Sequence, residues 1–495
     1  MTTVRVTTPF HENLGLLSAV FAVTPASNES NAERGSFAET CAIRALRCVL
    51  GAFQPLTIHQ LVEAVAIEPG GAIDRSIDGS YILDVCSNFI LVDVSESVSL
   101  AHLSVREYLE QKETVDSSSG HCGDPARIFA FGHTQRDLAE SCLTTVLHSA
   151  LQKRHDGEGQ TSFLTYALAF WPAHCERIPE ERRNGALSLM MTEVMSSRVD
   201  EWAMFVPDMY HEFVMSKRER DRLYYMSLCD PYPYVVAAWG FLEFFTDAMQ
   251  GASPISSNEF YVVTPLQLAS QYGHADLVAR ILTTAPHEDV QVSGGPSLWE
   301  ACRYGYIGIA QLLISAVPSS LLLAPYGVQL QVACEHGHLE IVELLINAGA
   351  EINVLDYRGN SPLQAACRGG QLEVVQHLLD RGADVNLGSE GHNPALASAV
   401  EWRREDIVRL LLERGADPNA IPSLPGSALE SAACRSLAIV ELLVDSGGAI
   451  VDGVDGRYGD HCILRCCLGR RRSCAPCWIG ERILMRTANS TSPWL

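Results

Sequence analysis

Leucine recurs along the second half of the chain with an almost fixed period. Leu266, Leu298, Leu330, Leu363, Leu396 and Leu429 follow one another at spacings of 32, 32, 33, 33 and 33 residues. Small apolar residues surround each, as in Gln329-Leu-Gln-Val-Ala-Cys334 and Ser361-Pro-Leu-Gln-Ala-Ala-Cys367. A second apolar run follows, for example Ile341-Val-Glu-Leu-Leu-Ile346 or Ile407-Val-Arg-Leu-Leu-Leu412. This patterning predicts two short amphipathic helices per unit. Thr264 and Ser361 are placed to cap a first helix, with Pro265 and Pro362 at its first position. Gln267 and Gln364 complete a capping-box pattern. Gly273, Gly337 and Gly370 permit the turn into the second helix; Gly349, Gly382 and Gly415 suit a left-handed cap after it. One such unit cannot bury its apolar side alone, so about six must stack over residues 264–455. The sixth departs from the pattern: it is one residue short between Leu429 and Ile439 and lacks the interhelical glycine.

The first part of the chain reads differently. Thr57-Ile-His-Gln60 is another capping box, and Ile58, Leu61, Val62, Val65 and Ala66 mark one helix face. A loop with Pro69-Gly-Gly71 precedes a second helix around Tyr81–Asn88, burying Ile82, Val85 and Cys86. Phe89–Val94 and Val98–His102 predict a hairpin, and Ser104 is placed to cap a short helix carrying Tyr108 and Leu109. Helices, a hairpin and a closing helix make a small winged-helix-like domain over residues 40–115. Residues 1–39 have no assignment. Asp116–Gly123 reads as a linker, and residues 124–260 as a helical connector that caps the first repeat. His133, His148 and His174 show no ligand spacing and read as core or surface histidines.

Thr264-Pro-Leu-Gln-Leu-Ala269, with its period, resembles the ankyrin repeat. That resemblance implies a curved α-solenoid with hairpin fingers that binds proteins and performs no chemistry. Pro55–Ile67, Leu83–Asn88 and Leu100–Leu109 resemble the winged-helix segment behind the NACHT ATPase core of fungal NLR-like, ankyrin-bearing STAND proteins. The implied parent is a nucleotide-dependent switch that senses a ligand through its repeats. The expected fold is therefore mainly α: an ankyrin-repeat solenoid preceded by a helical connector and a winged-helix-like domain. The expected role is a non-enzymatic scaffold, the C-terminal part of such a sensor. The alternative is the regulatory portion of a STAND signalling ATPase whose nucleotide domain lies elsewhere.

Charge narrows the partners. The formal net charge is -23, which disfavours a general nucleic-acid surface and docking on anionic membranes. The lysines Lys112, Lys153 and Lys217 precede Glu113, Arg154 and Arg218, so none forms the Gly-Lys-Ser/Thr of a phosphate loop. Phe89-Ile-Leu-Val-Asp93 imitates a Walker B strand, but without that loop it reads as a hairpin strand. Leu14–Ala26 imitates a signal-peptide core, with Glu12 and Arg5 as poor flanks. The 16 cysteines are mostly scattered singly, which fits reduced thiols and a cytoplasmic location. No cofactor is expected.

Six residues after each anchor leucine come Tyr272, Tyr304, His336, Gly369 and Trp402, and one place earlier Gln271, Arg303, Glu335, Arg368 and Glu401. By the ankyrin resemblance these end the first helix, toward the concave side. Tyr272, Arg303, Tyr304, Glu335, His336, Arg368, Glu401 and Trp402 are candidate partner contacts, against the alternative that the rings extend the core. Tyr357 and Arg358, in a predicted finger tip, complete the candidates. Cys302, Cys334 and Cys367 share one phase, one per repeat, and read as small core residues rather than ligands. The tail, residues 456–495, is rich in Cys and Arg. Its loss of the repeat pattern favours a misread or disordered segment over a zinc site from Cys474/Cys477 and Cys462/Cys466.

Overall fold

A computed structural model describes residues 29–67, 74, 76–86, 89–110, 129–148, 162–212, 217–226, 231–245, 263–284, 287–317, 328–356, 358–388, 394–420, 428–433, 435–446 and 448–449. It divides into two compact units, Met1–Ala252 and Ser253–Leu495. The Leu14–Ala26 stretch, the Pro69–Gly71 loop, the Asp116–Gly123 linker, Tyr357 and the whole Cys/Arg-rich tail lie outside the described residues.

In the first unit α1 (Glu29–Gly51) buries Cys41, Ala45 and Cys48, one stripe at helical spacing. Helix α2 (Ile58–Ala66) opens on the full Thr57/Gln60 capping box and buries Leu61, Ala64 and Val65. Arg44 of α1 donates to the carbonyls of Ala64 and Ile67, satisfying the carboxyl end of α2. Helix α3 (Gly79–Val85) is capped by Asp78 and buries Ile82; Cys86 follows, also buried, whereas Val85 is only half-buried.

Strands β1 (Ile90–Val92) and β2 (Val98–Leu100) pair antiparallel with Ile90 opposite Leu100. The Asp93 carboxylate accepts from the Ser95 and Ser97 amides and the Ser95 hydroxyl, closing the turn and holding its pKa below the usual carboxylate range. On its other side β2 meets the Leu56–Ile58 backbone, through Val98 N–H to Leu56 O and Ile58 N–H to Glu96 O. The closing helix α4 (Leu103–Leu109) is capped by His102 rather than by the expected Ser104. The His102 ring nitrogen Nδ1 accepts from the Ser104 amide, so the helix starts two residues earlier than a hydroxyl cap at Ser104 predicts.

Helices α5 (Phe131–His148), α6 (Phe163–Glu176), α7 (Gly185–Ser197), α8 (Val199–Glu212), α9 (Lys217–Met226) and α10 (Pro231–Trp239) follow. They are part of the same unit as the winged helix, and a directed polar chain ties them to it. Gln135 donates to Gly51 O and accepts from His174 Nδ1; His174 Nε2 accepts from the Tyr166 hydroxyl, which accepts from the Phe53 amide. Every member is satisfied, and His174 is a core histidine kept neutral, its pKa pushed down to about 3 by burial. Glu63 of α2 accepts from Ser162 Oγ and Phe163 N, capping α6 from outside.

Pro172 sits inside α6 and has no amide for the carbonyl of Leu168. That carbonyl accepts instead from the Trp202 indole N–H at 2.7 Å. Trp202 lies edge-on to Trp171 and Trp239, at 5.8 and 6.2 Å, so the break in one helix is filled by the aromatic core of its neighbours.

The second unit is a row of helix pairs: α11 (Pro265–Tyr272) with α12 (Ala275–Thr284), α13 (His287–Tyr304) with α14 (Ile307–Ala316), and α15 (Val328–His336) with α16 (Leu339–Asn347). Then come α17 (Pro362–Gly369) with α18 (Leu372–Asp380), α19 (Ala395–Glu401) with α20 (Glu405–Glu413), and α21 (Ala428–Ala433) with α22 (Leu437–Glu441) and the π-helical turn Leu442–Ser446. All six anchor leucines are buried, none more than 5% exposed, as stacking in register requires. Cys302, Cys334 and Cys367 are buried beside them, and burial raises each thiol pKa.

Two expectations need correction. The Thr264 hydroxyl accepts from the Gln267 amide, but the Gln267 side chain turns to Glu300 of the next repeat, so only half of that capping box forms. The second repeat departs from the expected pair of short helices: α13 starts at His287, 11 residues before the anchor Leu298, and runs through Pro296. The carbonyl left without a donor belongs to Val292, whose residue is exposed. Further polar links run between repeats: Asn353 and Asn386 accept from the amides of Asp384 and Asp417, and Asn386 donates to Gly415 O.

Candidate protein-binding surface

The carboxyl ends of the first helices form one continuous edge, because each is closed by the repeat that follows. Gly273, Gly305, Gly337 and Gly370 all take positive φ there. The next repeat places Tyr306, His338, Gln371 and Arg404 against these four glycines in turn, where a Cβ would collide. His338 Nε2 donates to Arg303 O at 3.2 Å, Gln371 to Glu335 O at 3.3 Å, and Arg404 to Gly369 O at 3.3 Å. Unpaired helix carbonyls of one layer are thus satisfied by a side chain of the next. In the shortened sixth unit, Ser436 donates to the Glu405 carboxylate instead.

The sequence candidates fall along this edge in different states. Tyr272 is buried, 5% exposed, and belongs to the core rather than to an open face. Arg303 is half-buried and lies over the rings of Trp299 and Tyr304, 5.2 and 5.5 Å from their centroids. Tyr304 stacks on Tyr306 at 6.2 Å, and the exposed His336 on His338 at the same separation. Glu335 and Arg368 pair with each other through two hydrogen bonds, 2.9 and 2.8 Å long. The pairing lowers the Glu335 pKa and raises that of Arg368. Gly369 interrupts the aromatic row because the Glu335 carbonyl lies where its Cβ would be. Glu401 and Trp402 are both exposed, Trp402 at 52%. Arg358 is exposed in a turn held by Asp356, which accepts from the Arg358 and Asn360 amides.

Residues 330–421 match the family model for ankyrin repeats in three copies. Residues 31–119 match the GPI inositol-deacylase, winged helix domain. The repeats are ankyrin repeats. The winged helix is of a kind also found in NACHT proteins. No curated protein matches the chain.

Sequence reasoning missed the closing side chains of the ankyrin edge: Tyr306, His338, Gln371 and Arg404. Their signal was available, since each directly follows the turn position of its repeat. It also missed that Arg403 occupies that position where the four preceding repeats have glycine. Among the described residues no group of three or more His, Cys, Asp or Glu is placed to hold a metal ion. Among them, too, no helix is long and apolar enough to cross a membrane.

Proposed function

We propose that the chain is a non-enzymatic scaffold whose ankyrin repeats bind a protein partner along the edge from Arg303 to Trp402 and through the Arg358 turn. On this reading it is the C-terminal part of a fungal NLR-like sensor, acts in the cytoplasm, and binds neither nucleic acid nor membrane. The observation that carries it is the edge itself: side-chain closures give it a fixed backbone, and aromatic and arginine side chains stand on it with solvent access. Such residues dominate binding energy when a partner buries them. The test is quantitative capture of interacting proteins by the full chain and by a Tyr304→Ala/Trp402→Ala double variant. A specific partner lost from the folded double variant supports the proposal; an unchanged capture profile overturns it.

The winged helix favours a second reading, in which the chain is the regulatory portion of a nucleotide-dependent STAND ATPase. An in-frame Gly-Lys-Ser/Thr loop in the gene upstream would support it, and the same frames read without one would count against it.

A further inference from the structure

In the winged helix, β2 has a neighbour on each side: β1 on one, and the backbone of Leu56 and Ile58 on the other. Among the described residues β1 has β2 alone. The register decides which of its main-chain groups are left over. The Asp93 amide donates to Ser97 O, Ala101 N donates to Phe89 O, and Leu91 lies opposite Ser99 between them. Alternation along a strand then turns the N–H and C=O of Ile90 and Val92 the other way. Among the described residues nothing pairs with these two donors and two acceptors. The side chains of Leu91, Val92 and Val94 are exposed, Leu91 at 52%. Residues 89–94 include no proline, lysine or arginine, the residues that commonly guard an open strand.

Size and charge select what covers this strand. Two donors and two acceptors on a three-residue strand are far short of the roughly 800 Å² per partner that separate chains bury in a stable complex. A tethered segment needs less, because its effective concentration is in the millimolar range. Residues 89–101 contain Asp93 and Glu96 and no basic residue, so a second copy would set carboxylates against carboxylates. Thr2-Thr-Val-Arg-Val-Thr-Thr8, outside the described residues, meets both demands. It is β-branched at every position except Arg5, and Arg5 is its sole charged side chain. Residues 9–28 join it to α1, which lies against β2. Fully extended, that connection reaches roughly 65 Å, against about 35 Å for the whole length of α1.

We propose that residues 2–8 close the hairpin as a third strand, antiparallel to β1. Pairing Val6 with Ile90 and Val4 with Val92 joins both outward donors and both outward acceptors. In this register the two valines fall on the face of Ile90 and Val92. Arg5 falls opposite Leu91, on the face that also carries Asp93. Its aliphatic stem covers the leucine and its guanidinium reaches the carboxylate. Held in cis, the segment keeps β1 from pairing with the strands of other chains.

Hydrogen exchange of the full chain, resolved to single amides, tests the pairing. In Val4→Pro/Val6→Pro, which lacks the two donating amides, Ile90 and Val92 should exchange at least tenfold faster, while Leu91 and Asp93, which face β2, keep their rates. Arg5→Glu should speed the same two amides and Arg5→Lys should not. Under mild oxidation Arg5→Cys/Leu91→Cys should form a disulfide within one chain, whereas Val4→Cys/Leu91→Cys, with side chains on opposite faces, should not. Unchanged rates at Ile90 and Val92 in the proline variant, or an equal rise at Leu91 and Asp93, overturn the proposal. So does protection of Ile90 and Val92 that survives deletion of residues 2–8. Protection that fades on dilution, or a disulfide between chains, assigns the open strand to a second copy and overturns it as well.

Discussion

The two units hold their chains together over different distances. In the first, Gln135 reaches Gly51 across 84 residues, Glu63 reaches Phe163 across 100, and Tyr166 reaches Phe53 across 113. In the second, the cross-repeat bonds span about one period: 33 residues from Arg368 to Glu335, 35 from His338 to Arg303, 31 from Asp384 to Asn353. A contact between distant segments forms only when everything around it has folded, so the first unit should respond as a whole. A contact between neighbouring layers depends on those layers, so the repeats should respond locally and nearly additively.

Damage to each core tests the contrast most severely. Trp171→Ala removes the centre of the Trp171/Trp202/Trp239/Phe241 cluster and should cost about 4 kcal/mol. Hydrogen exchange should rise together from α1 to α10; a rise confined to α6 would break the comparison. Leu363→Ala, in an interior repeat, should cost about 3 kcal/mol. Here exchange should rise in α15 to α19 and fade beyond them, and Leu429→Ala in the last described repeat should cost less.

Next in size is the His174 chain. His174→Phe leaves the Gln135 carbonyl and the Tyr166 hydroxyl without their partner and should cost about 2 kcal/mol at neutral pH. The histidine also carries a pH signature. Its folded pKa, about 3, lies below the unfolded value, so its contribution is intact above about pH 6.5 and is lost as pH falls toward 3. Urea denaturation of the first unit should lose roughly 1.4 kcal/mol per pH unit across that window, and His174→Phe should lack this component. The smallest expected effect belongs to Glu335 and Arg368. A double-mutant cycle to glutamine and methionine should give a coupling of about 0.5 kcal/mol that shrinks in high salt, because the pair is part-exposed.

The same contrast explains what the sequence disclosed. The Thr57/Gln60 and Ser361/Gln364 boxes, the anchor leucines and the hairpin were legible because each is set by residues a few positions apart or by a repeating pattern. The His174 chain was not, because its members come from separate segments that only packing brings together. The Leu168–Trp202 bond was hidden for the same reason, although Pro172 announced a carbonyl in need of a donor. At the edge, the sequence placed the right row of residues but not their condition. Tyr272 and Tyr304 occupy the same phase, yet one is buried and the other reaches solvent. Glu335 and Arg368 stood as separate candidates until geometry joined them.

The backward reach of Tyr306, His338, Gln371 and Arg404 gives the array a direction. A copied module inserted among its fellows brings a lid for the one before it and receives a lid from the one after. Trimming from the amino end leaves each surviving turn its lid, whereas trimming from the carboxyl end uncovers the turn of the new last member. In this contact, then, the two ends of the array are not equivalent: only the carboxyl-terminal member has no successor to close its turn.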